Sequence, residues 1–350
     1  MHNKAVIAMS GGVDSSAAAA LMIDRGFECI GITLKLFSGG RCCSLADVND
    51  ARAVANTLHI PHYVLNFTEV FQKQVIDRFV RTYLAGATPN PCIDCNRYIK
   101  FDGLLLRTEQ INFDYLVSGH YACITQDSVS GRYLLKKAAD TKKDQSYVLY
   151  CLTQDQLAHT IFPLGDMTKA QVRDFAAKRL LSTAQKHDSQ DICFVPDGDY
   201  GSFIEAYRGK PFESGTIIDE SGAVLGRHRG YACYTIGQRR GLGIACKQPV
   251  YVSAKSPEHN TVTLGPESSL YRKSLHAQDI NLIACANINT PLRVKVKTRY
   301  IQEEQWAIAE QTGHDELHIN FDAPQRAITP GQAAVLYDGD LVIGGGTITD

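Results

Sequence analysis

A strand that runs into a glycine turn and then straight into a helix constrains this chain more than any other feature. Lys4–Met9 is apolar and strand-like, Ser15–Arg25 is alanine-rich and helical with Gly26 just beyond it, and Ser10-Gly11-Gly12-Val13-Asp14 lies between them. That order opens a parallel α/β unit, because a helix must cross over before the next strand can align in parallel. The turn leaves free backbone N–H groups at the positive end of the helix, and two glycines let an anion approach the backbone. In an open parallel sheet such a turn also sits where ligands bind. No lysine follows the glycines and the spacing is too short for a Walker A loop, so phosphate must be held differently.

The alternation continues with strand Glu28–Leu34, helix Leu45–Leu58, strand His62–Asn66, helix Glu69–Leu84 and strand Tyr115–Ser118. It predicts a doubly wound parallel α/β domain over residues 1–205. Further on, helical periodicity gives way to short runs broken by Glu213-Ser214-Gly215, Glu220-Ser221-Gly222 and Gly241-Leu242-Gly243. Two small β-rich units are expected there, 206–268 and 269–350, with strands at Leu292–Tyr300 and Gln332–Tyr337. A chain of 350 residues exceeds what one core usually covers, so several domains are natural.

Formal charge is −1, which argues against coating nucleic acid by bulk charge, so any such contact must be local. No apolar run reaches bilayer length, and the first strand enters the glycine turn without a cleavage-like segment. Cytoplasmic residence, with no membrane partner, is the expectation. The 11 cysteines are odd in number and scattered, unlike a secreted disulfide framework. Cys29, Cys123, Cys151, Cys233, Cys246 and Cys285 sit in apolar or strand-like surroundings and read as small buried hydrophobes.

The heptamer Ser10-Gly11-Gly12-Val13-Asp14-Ser15-Ser16 resembles the loop of enzymes that adenylate a carbonyl-type oxygen and release pyrophosphate. Further motifs are Thr88-Pro89-Asn90-Pro91-Cys92-Ile93-Asp94-Cys95-Asn96, Ser118-Gly119-His120-Tyr121-Ala122, Lys143-Asp144-Gln145-Ser146-Tyr147, Asp188 to Phe194 and Tyr234 to Gly243. Together, and as far as Pro330-Gly331-Gln332, they resemble the bacterial tRNA-specific 2-thiouridylases. That resemblance implies a PP-loop domain of the adenine nucleotide alpha-hydrolase type and two β-rich tRNA-gripping domains, the last a barrel. It implies an enzyme that places sulfur on C2 of the wobble uridine of tRNAs for Lys, Glu and Gln, at the expense of ATP with Mg2+.

By the same resemblance ATP meets Ala8, Met9, Ser10, Gly11, Gly12, Val13, Asp14 and Ser15, with Leu34 and Gly119 on the adenine and ribose side. Asn90, Pro91 and Cys92 lie by the target base, with His120, Lys143, Asp144 and Gln145 nearby. Taken alone, His120 reads as a turn residue and Lys143 as part of a solvated face; the motifs give them their roles. A base must be flipped out for its C2 to be reached. Arg293, Lys295, Lys297 and Arg299 alternate with apolar and small residues, which puts all four on one strand face and suits tracking of phosphates. The resemblance adds Arg299, Tyr300 and Gln332 as tRNA contacts.

Adenylation would leave a need for a sulfur nucleophile, which cysteine supplies. The resemblance implies that Cys193 carries a persulfide and that Cys95 attacks it, leaving a Cys95–Cys193 disulfide for a reductant to reset. The sulfur would come from a cysteine desulfurase or a sulfur relay protein. This chain departs from family members that have Asp at the position of Cys92. Cys92, Cys95 and Cys193 thus also form a candidate three-cornered holder for a [4Fe–4S] cluster, and Cys92 with Cys95 is half of a zinc site. Cys42 and Cys43 are a candidate sulfur-acceptance or redox spot. Two other classes share parts of this pattern: an ATP-dependent amide or guanidine synthetase, and a non-catalytic tRNA- or nucleotide-binding protein.

Overall fold

The computed structural model describes residues 3–37, 45–186, 192–195 and 198–350. Cys42 and Cys43 lie outside them. Strand β1 (Lys4–Ala8) is the centre of a five-stranded parallel sheet in the order β3-β2-β1-β4-β7, where β2 is Glu28–Lys35, β3 His62–Asn66, β4 Tyr115–Val117 and β7 Thr160–Ile161. Ala5, Val6 and Ile7 are completely buried, as a strand covered on both faces must be.

Helix α1 (Val13–Asp24) follows the glycine turn, and Ala17, Ala18, Ala19 and Ala20 have no exposed surface at all. A helix this apolar on every side packs inside a layer rather than against solvent. Its methyl groups let Ala51, Val54 and Ala55 of the helix Leu45–Thr57 and Val172 and Ala176 of the helix Lys169–Lys178 close around it. On the other sheet face, helical residues Thr68–Phe71, Gln72–Ile76 and Asp77–Leu84 run on as one helix with a π-turn inside it. A second such helix, α4, runs through Pro91–Asp94, Cys95–Leu104 and Leu105–Gln110. Asn90 Oδ1 accepts from the backbone N–H of Cys92 at 3.1 Å to cap it, and Pro91 occupies the first position, where its missing N–H costs nothing.

The central unit is a four-stranded sheet in the order β10-β11-β8-β9, built from β8 (Gly215–Asp219), β9 (Val224–His228), β10 (Tyr251–Ser256) and β11 (Thr261–Gly265). Its own small core holds Ile217, Val252, Val262 and Leu264. Cys246, expected to be buried, is exposed, because the stretch around it is an irregular loop rather than a strand.

The last unit is a closed antiparallel barrel, β12-β15-β14-β13-β16-β17, shut by pairing of β12 with β17. These strands are β12 (Tyr271–Leu282), β13 (Leu292–Lys297), β14 (Gln305–Gly313), β15 (Glu316–Arg326), β16 (Ala333–Asp338) and β17 (Leu341–Ile348). Along β16 the period of two is divided between two cores. Ala334 and Leu336 point into the barrel, while Ala333, Val335 and Tyr337 join the core of the α/β domain with Tyr147, Leu149 and Tyr150. The hairpin β5 (Cys123–Gln126) and β6 (Tyr133–Lys136) extends the barrel sheet through Leu341 and Lys136. Asn281 Nδ2 donates to the carbonyls of Tyr150 at 2.6 Å and Leu152 at 2.8 Å, so barrel and α/β domain are one packed body at this seam.

The expected strand Leu292–Tyr300 stops at Lys297. Arg293, Lys295 and Lys297 share the outward face, but Arg299 leaves it. Its guanidinium turns inward and donates to the carbonyls of Ile236 at 3.1 Å and Ala327 at 3.0 Å and to Thr329 Oγ1 at 2.6 Å. The stripe therefore holds three cations, not four. Arg293 is paired with Asp322 at 2.5 Å, and both Arg293 and Lys295 lie over the ring of Trp306. No helix among the described residues is long and apolar enough to cross a membrane.

Candidate nucleotide and nucleic-acid site

The glycine turn is held from both sides. Gly11 has φ +74°, and a Cβ there would lie 2.3 Å from the carbonyl oxygen of Asp47, so this position needs glycine twice over. Within the loop, Ser10 N–H donates to Ser15 Oγ at 3.2 Å, and Ser15 and Ser16 both donate to the carbonyl of Gly12 at 3.1 and 2.8 Å. From outside it, Lys186 Nζ reaches the carbonyl of Gly11 at 3.0 Å, Asp47 at 2.8 Å and Asp50 at 2.6 Å. Asp14 receives Lys169 Nζ on both oxygens at 2.8 Å and the Tyr121 hydroxyl at 2.7 Å. Two lysines thus fasten the loop by its carboxylate and carbonyl groups rather than by its backbone donors.

A cavity of about 220 Å³ opens over this loop at the C-terminal ends of β1 and β4. Ala8, Met9, Ser10, Asp14 and Ser15 form one wall, Ile32, Leu34 and Leu36 an apolar one, and Ser118, Gly119, His120, Gln145 and Lys100 close it. Of the residues expected to meet ATP, all but Gly11, Gly12 and Val13 line this space. A Cβ on Gly119 would stand 2.8 Å from the backbone of Asp14 and of Ser15, so the second glycine turn and the first are in mutual contact. His120 and Gln145, expected on the tRNA side, share the cavity. Burial, and then the neighbouring Lys100, push the His120 pKa well below the ordinary imidazole value, so it is neutral.

A second cavity, about 330 Å³, lies at the seam between α4 and the barrel and includes Asn90, Ile93, Asp94, Arg78, Arg81, Arg97 and Asp279. Arg78 Nε meets Asp94 at 3.3 Å, and Arg97 is bonded to Asp279 of the barrel. Burial lifts the Asp94 carboxyl to about 6 despite the two arginines. The folded state therefore binds the proton more tightly than the unfolded chain does. Asp94's contribution to stability is full below pH 3.8 and is lost as pH rises to about 6. Urea unfolding across that window should show an Asp94→Asn variant losing less stability than the parent, by on the order of 2–3 kcal/mol. Parallel profiles would refute it.

The three cysteines expected to handle sulfur fall on two segments. Cys92 is exposed at the start of α4, and Cys95, one turn on, is half-buried. Cys193 is half-buried beside Phe194, whose ring packs on Phe71, Phe79 and Phe203 at 5.7, 5.2 and 5.3 Å. That anchor fixes where the segment Ile192–Val195 enters the core. Among the described residues, the one triplet of His, Cys, Asp or Glu ligand atoms within 4.8 Å of one another is Glu109, Asp155 and His159, far less buried than a resident metal centre would be.

The remaining expected residues join the domains. Tyr300 donates to the carbonyl of Asp144 at 3.1 Å and stands edge-on to Tyr147. The Asp144 carboxylate accepts from Ala138 N–H, Ser146 N–H and Ser146 Oγ, a structural knot. Gln332 Nε2 donates to the carbonyl of Thr88 at 2.8 Å, just before the Asn90 cap. Lys143, beside Asp144, is half-buried. Sequence reasoning missed Lys100, Ser118, Tyr121, Lys169 and Lys186. Only Ser118 and Tyr121 carried a signal, as members of the Ser-Gly-His-Tyr motif; the lysines reach the site through the fold.

Residues 3–197 match a family model described as a tRNA methyl transferase HUP domain, 201–266 its PRC-barrel domain and 272–348 an aminomethyltransferase β-barrel domain. The chain is 50% identical to the tRNA-specific 2-thiouridylase MnmA of Acetivibrio thermocellus, over 99% of each chain. It is 49% identical to that of Clostridioides difficile, over 99% of this chain and 98% of the relative, and 50% identical to that of Moorella thermoacetica, over 98% of each.

Proposed function

The chain belongs to the tRNA-specific 2-thiouridylase family, and from that premise we propose that it adenylates O2 of the wobble uridine and replaces that oxygen with sulfur carried on Cys193. It is a tRNA-uridine 2-sulfurtransferase that uses ATP. One observation carries the finer reading: α4 bears both Cys95 and Lys100, and Lys100 lines the cavity over the glycine turn. Cys95 and Lys100 stand five positions apart on that helix, so a thiol and a nucleotide cavity share one rigid element.

In this reading ATP enters as its magnesium complex and the uridine flips toward His120, Gln145 and Asn90. Uridine O2 attacks the α-phosphorus, the bond to the pyrophosphate oxygen breaks with its electron pair, and the N3 proton is lost to solvent. The terminal sulfur of a Cys193 persulfide then attacks C2 and AMP leaves, which gives a mixed disulfide between base and Cys193. Cys95 attacks the Cys193 sulfur, the 2-thiouridine is released, and the Cys95–Cys193 disulfide awaits a two-electron thiol reductant. The persulfide is refilled by a sulfur donor such as a cysteine desulfurase or a relay protein. The domains divide the work over 1–205 for catalysis and 206–268 and 269–350 for tRNA, with Arg299, Tyr300 and Gln332 at the joint where the RNA would bear on all three.

The test is mass analysis of nucleosides after incubating unmodified tRNA with the protein, ATP, magnesium and either sulfide or a persulfide donor. 2-Thiouridine should appear in tRNAs for Lys, Glu and Gln; its absence with both donors sinks the reading. Cys92, one turn before Cys95, favours a second version in which a [4Fe–4S] cluster on Cys92, Cys95 and Cys193 presents the sulfur. Stoichiometric iron and labile sulfide after anaerobic purification, lost in Cys92→Ala, would replace the relay by that version.

A further inference from the structure

We propose that Lys100 is a further catalytic residue, whose ammonium rests against the α-phosphate of the nucleotide and neutralises the charge gathering there during adenylation. The proposal rests on the reading that ATP fills the cavity over the glycine turn. Among the described residues lining that cavity, Lys100 is the one cation: the other charged side chain is Asp14, whose oxygens are taken by Lys169 and Tyr121.

The ammonium is aimed by its neighbours. Asn96 is 1% exposed and its Nδ2 donates to the carbonyl of Val148 at 3.0 Å, which fixes the amide so that Oδ1 faces Lys100 Nζ, also at 3.0 Å. His120 Nε2 lies 3.3 Å from the same nitrogen. An ammonium only donates, so Nε2 must be the bare acceptor and Nδ1 carries the proton given to Ser118 Oγ. A neutral imidazole is what that contact requires, and burial keeps His120 neutral. Two of the three ammonium protons are thereby directed to Asn96 and His120, and the third is left for a ligand in the cavity. The bland alternative, a lysine present only to hold His120, predicts no difference between ligands with and without a phosphate.

When uridine O2 bonds to the α-phosphorus and pyrophosphate leaves with the electron pair of the broken P–O bond, negative charge builds on the non-bridging oxygens. A fixed cation stabilises that charge without reorganising. Lys169 and Lys186 are spent on the loop itself, so the phosphate-facing role falls to Lys100.

Calorimetry with AMP and with adenosine, as probes of the same cavity, tests this. In Lys100→Met the affinity for AMP should fall on the order of 10- to 100-fold, with adenosine binding within about twofold of the parent. Lys100→Arg should keep most of the preference for AMP, and in Lys100→Met steady-state pyrophosphate release in the presence of tRNA and a persulfide donor should show kcat falling more than KM rises. An unchanged ratio of AMP to adenosine affinity in Lys100→Met overturns the proposal. If that variant does not fold, the parent protein serves: AMP, and not adenosine, should shield Lys100 from amine acetylation followed by peptide mass analysis, and equal labelling overturns it. If the parent binds neither probe, the placement of ATP in this cavity fails, and the role of Lys100 with it.

Discussion

Cys193→Ser should abolish 2-thiouridine formation, a loss of at least about a thousandfold, while tRNA-dependent release of pyrophosphate persists. A serine oxygen has nearly the shape of the thiol but cannot carry a transferable sulfur, and covalent catalysis through the wrong atom is not partly active. Collapse of the fold is not the expected cause of the loss. Phe194 and its three ring partners hold the segment, and the Cys193 side chain itself is only half-buried. The companion Cys95→Ser gives a different and more telling outcome. It should stop after the persulfide has attacked C2, trapping tRNA on the protein through a disulfide that a dithiol cleaves. A denaturing gel with and without reductant reads this directly. Thiolation at near the parental rate in Cys193→Ser would end the relay, and tRNA trapped in Cys193→Ser but free in Cys95→Ser would reverse the assigned order of the two cysteines.

Gly119→Ala should lower single-turnover adenylation by about a hundredfold or more. The added methyl would lie 2.8 Å from the main chain of both Asp14 and Ser15, and backbone cannot swing aside as a side chain can. The loop must therefore shift by several tenths of an ångström. Its anchors resist: Lys169 and Tyr121 hold Asp14, Lys186 holds the Gly11 carbonyl, and Thr183 donates to Ser16 at 2.9 Å. Catalysis depends on phosphate oxygens meeting a set of fixed donors, so small displacements weigh heavily. Stability should fall by only about 1–3 kcal/mol, the usual cost of overpacking one methyl. Thermal unfolding with rapid-quench pyrophosphate assays separates the two effects, and normal adenylation kinetics in a folded variant would show that Gly119 does not brace the loop.

The legible parts of this protein share a physical reason. The strand, glycine turn and alanine helix from Lys4 to Asp24 are fixed by local sterics and periodicity, so the nucleotide end of the sheet could be read from adjacent residues. The same holds for the outward alternation of Arg293, Lys295 and Lys297. Arg299 was misplaced for a complementary reason: where the strand ends is settled by acceptors at Ile236, Ala327 and Thr329, residues 28 to 63 positions away, and no local pattern contains them. Cys246 likewise looked apolar in sequence because Ile244 and Ala245 precede it, yet its thiol is exposed while Leu242 and Ile244 pack into the small β core.

The sequence by itself determined the layer order, the anion-binding turn and which cysteines are candidates for chemistry, because each depends on residue type at short spacing. Only the tertiary structure decided what surrounds the turn. Lys169 and Lys186 reach it from 155 and 175 residues downstream, Lys100 enters its cavity across a helix, and the barrel shares a core with the α/β domain through alternate residues of β16. Long, flexible lysine side chains carry no periodic signature, and the partners that fix them are chosen by packing at a distance.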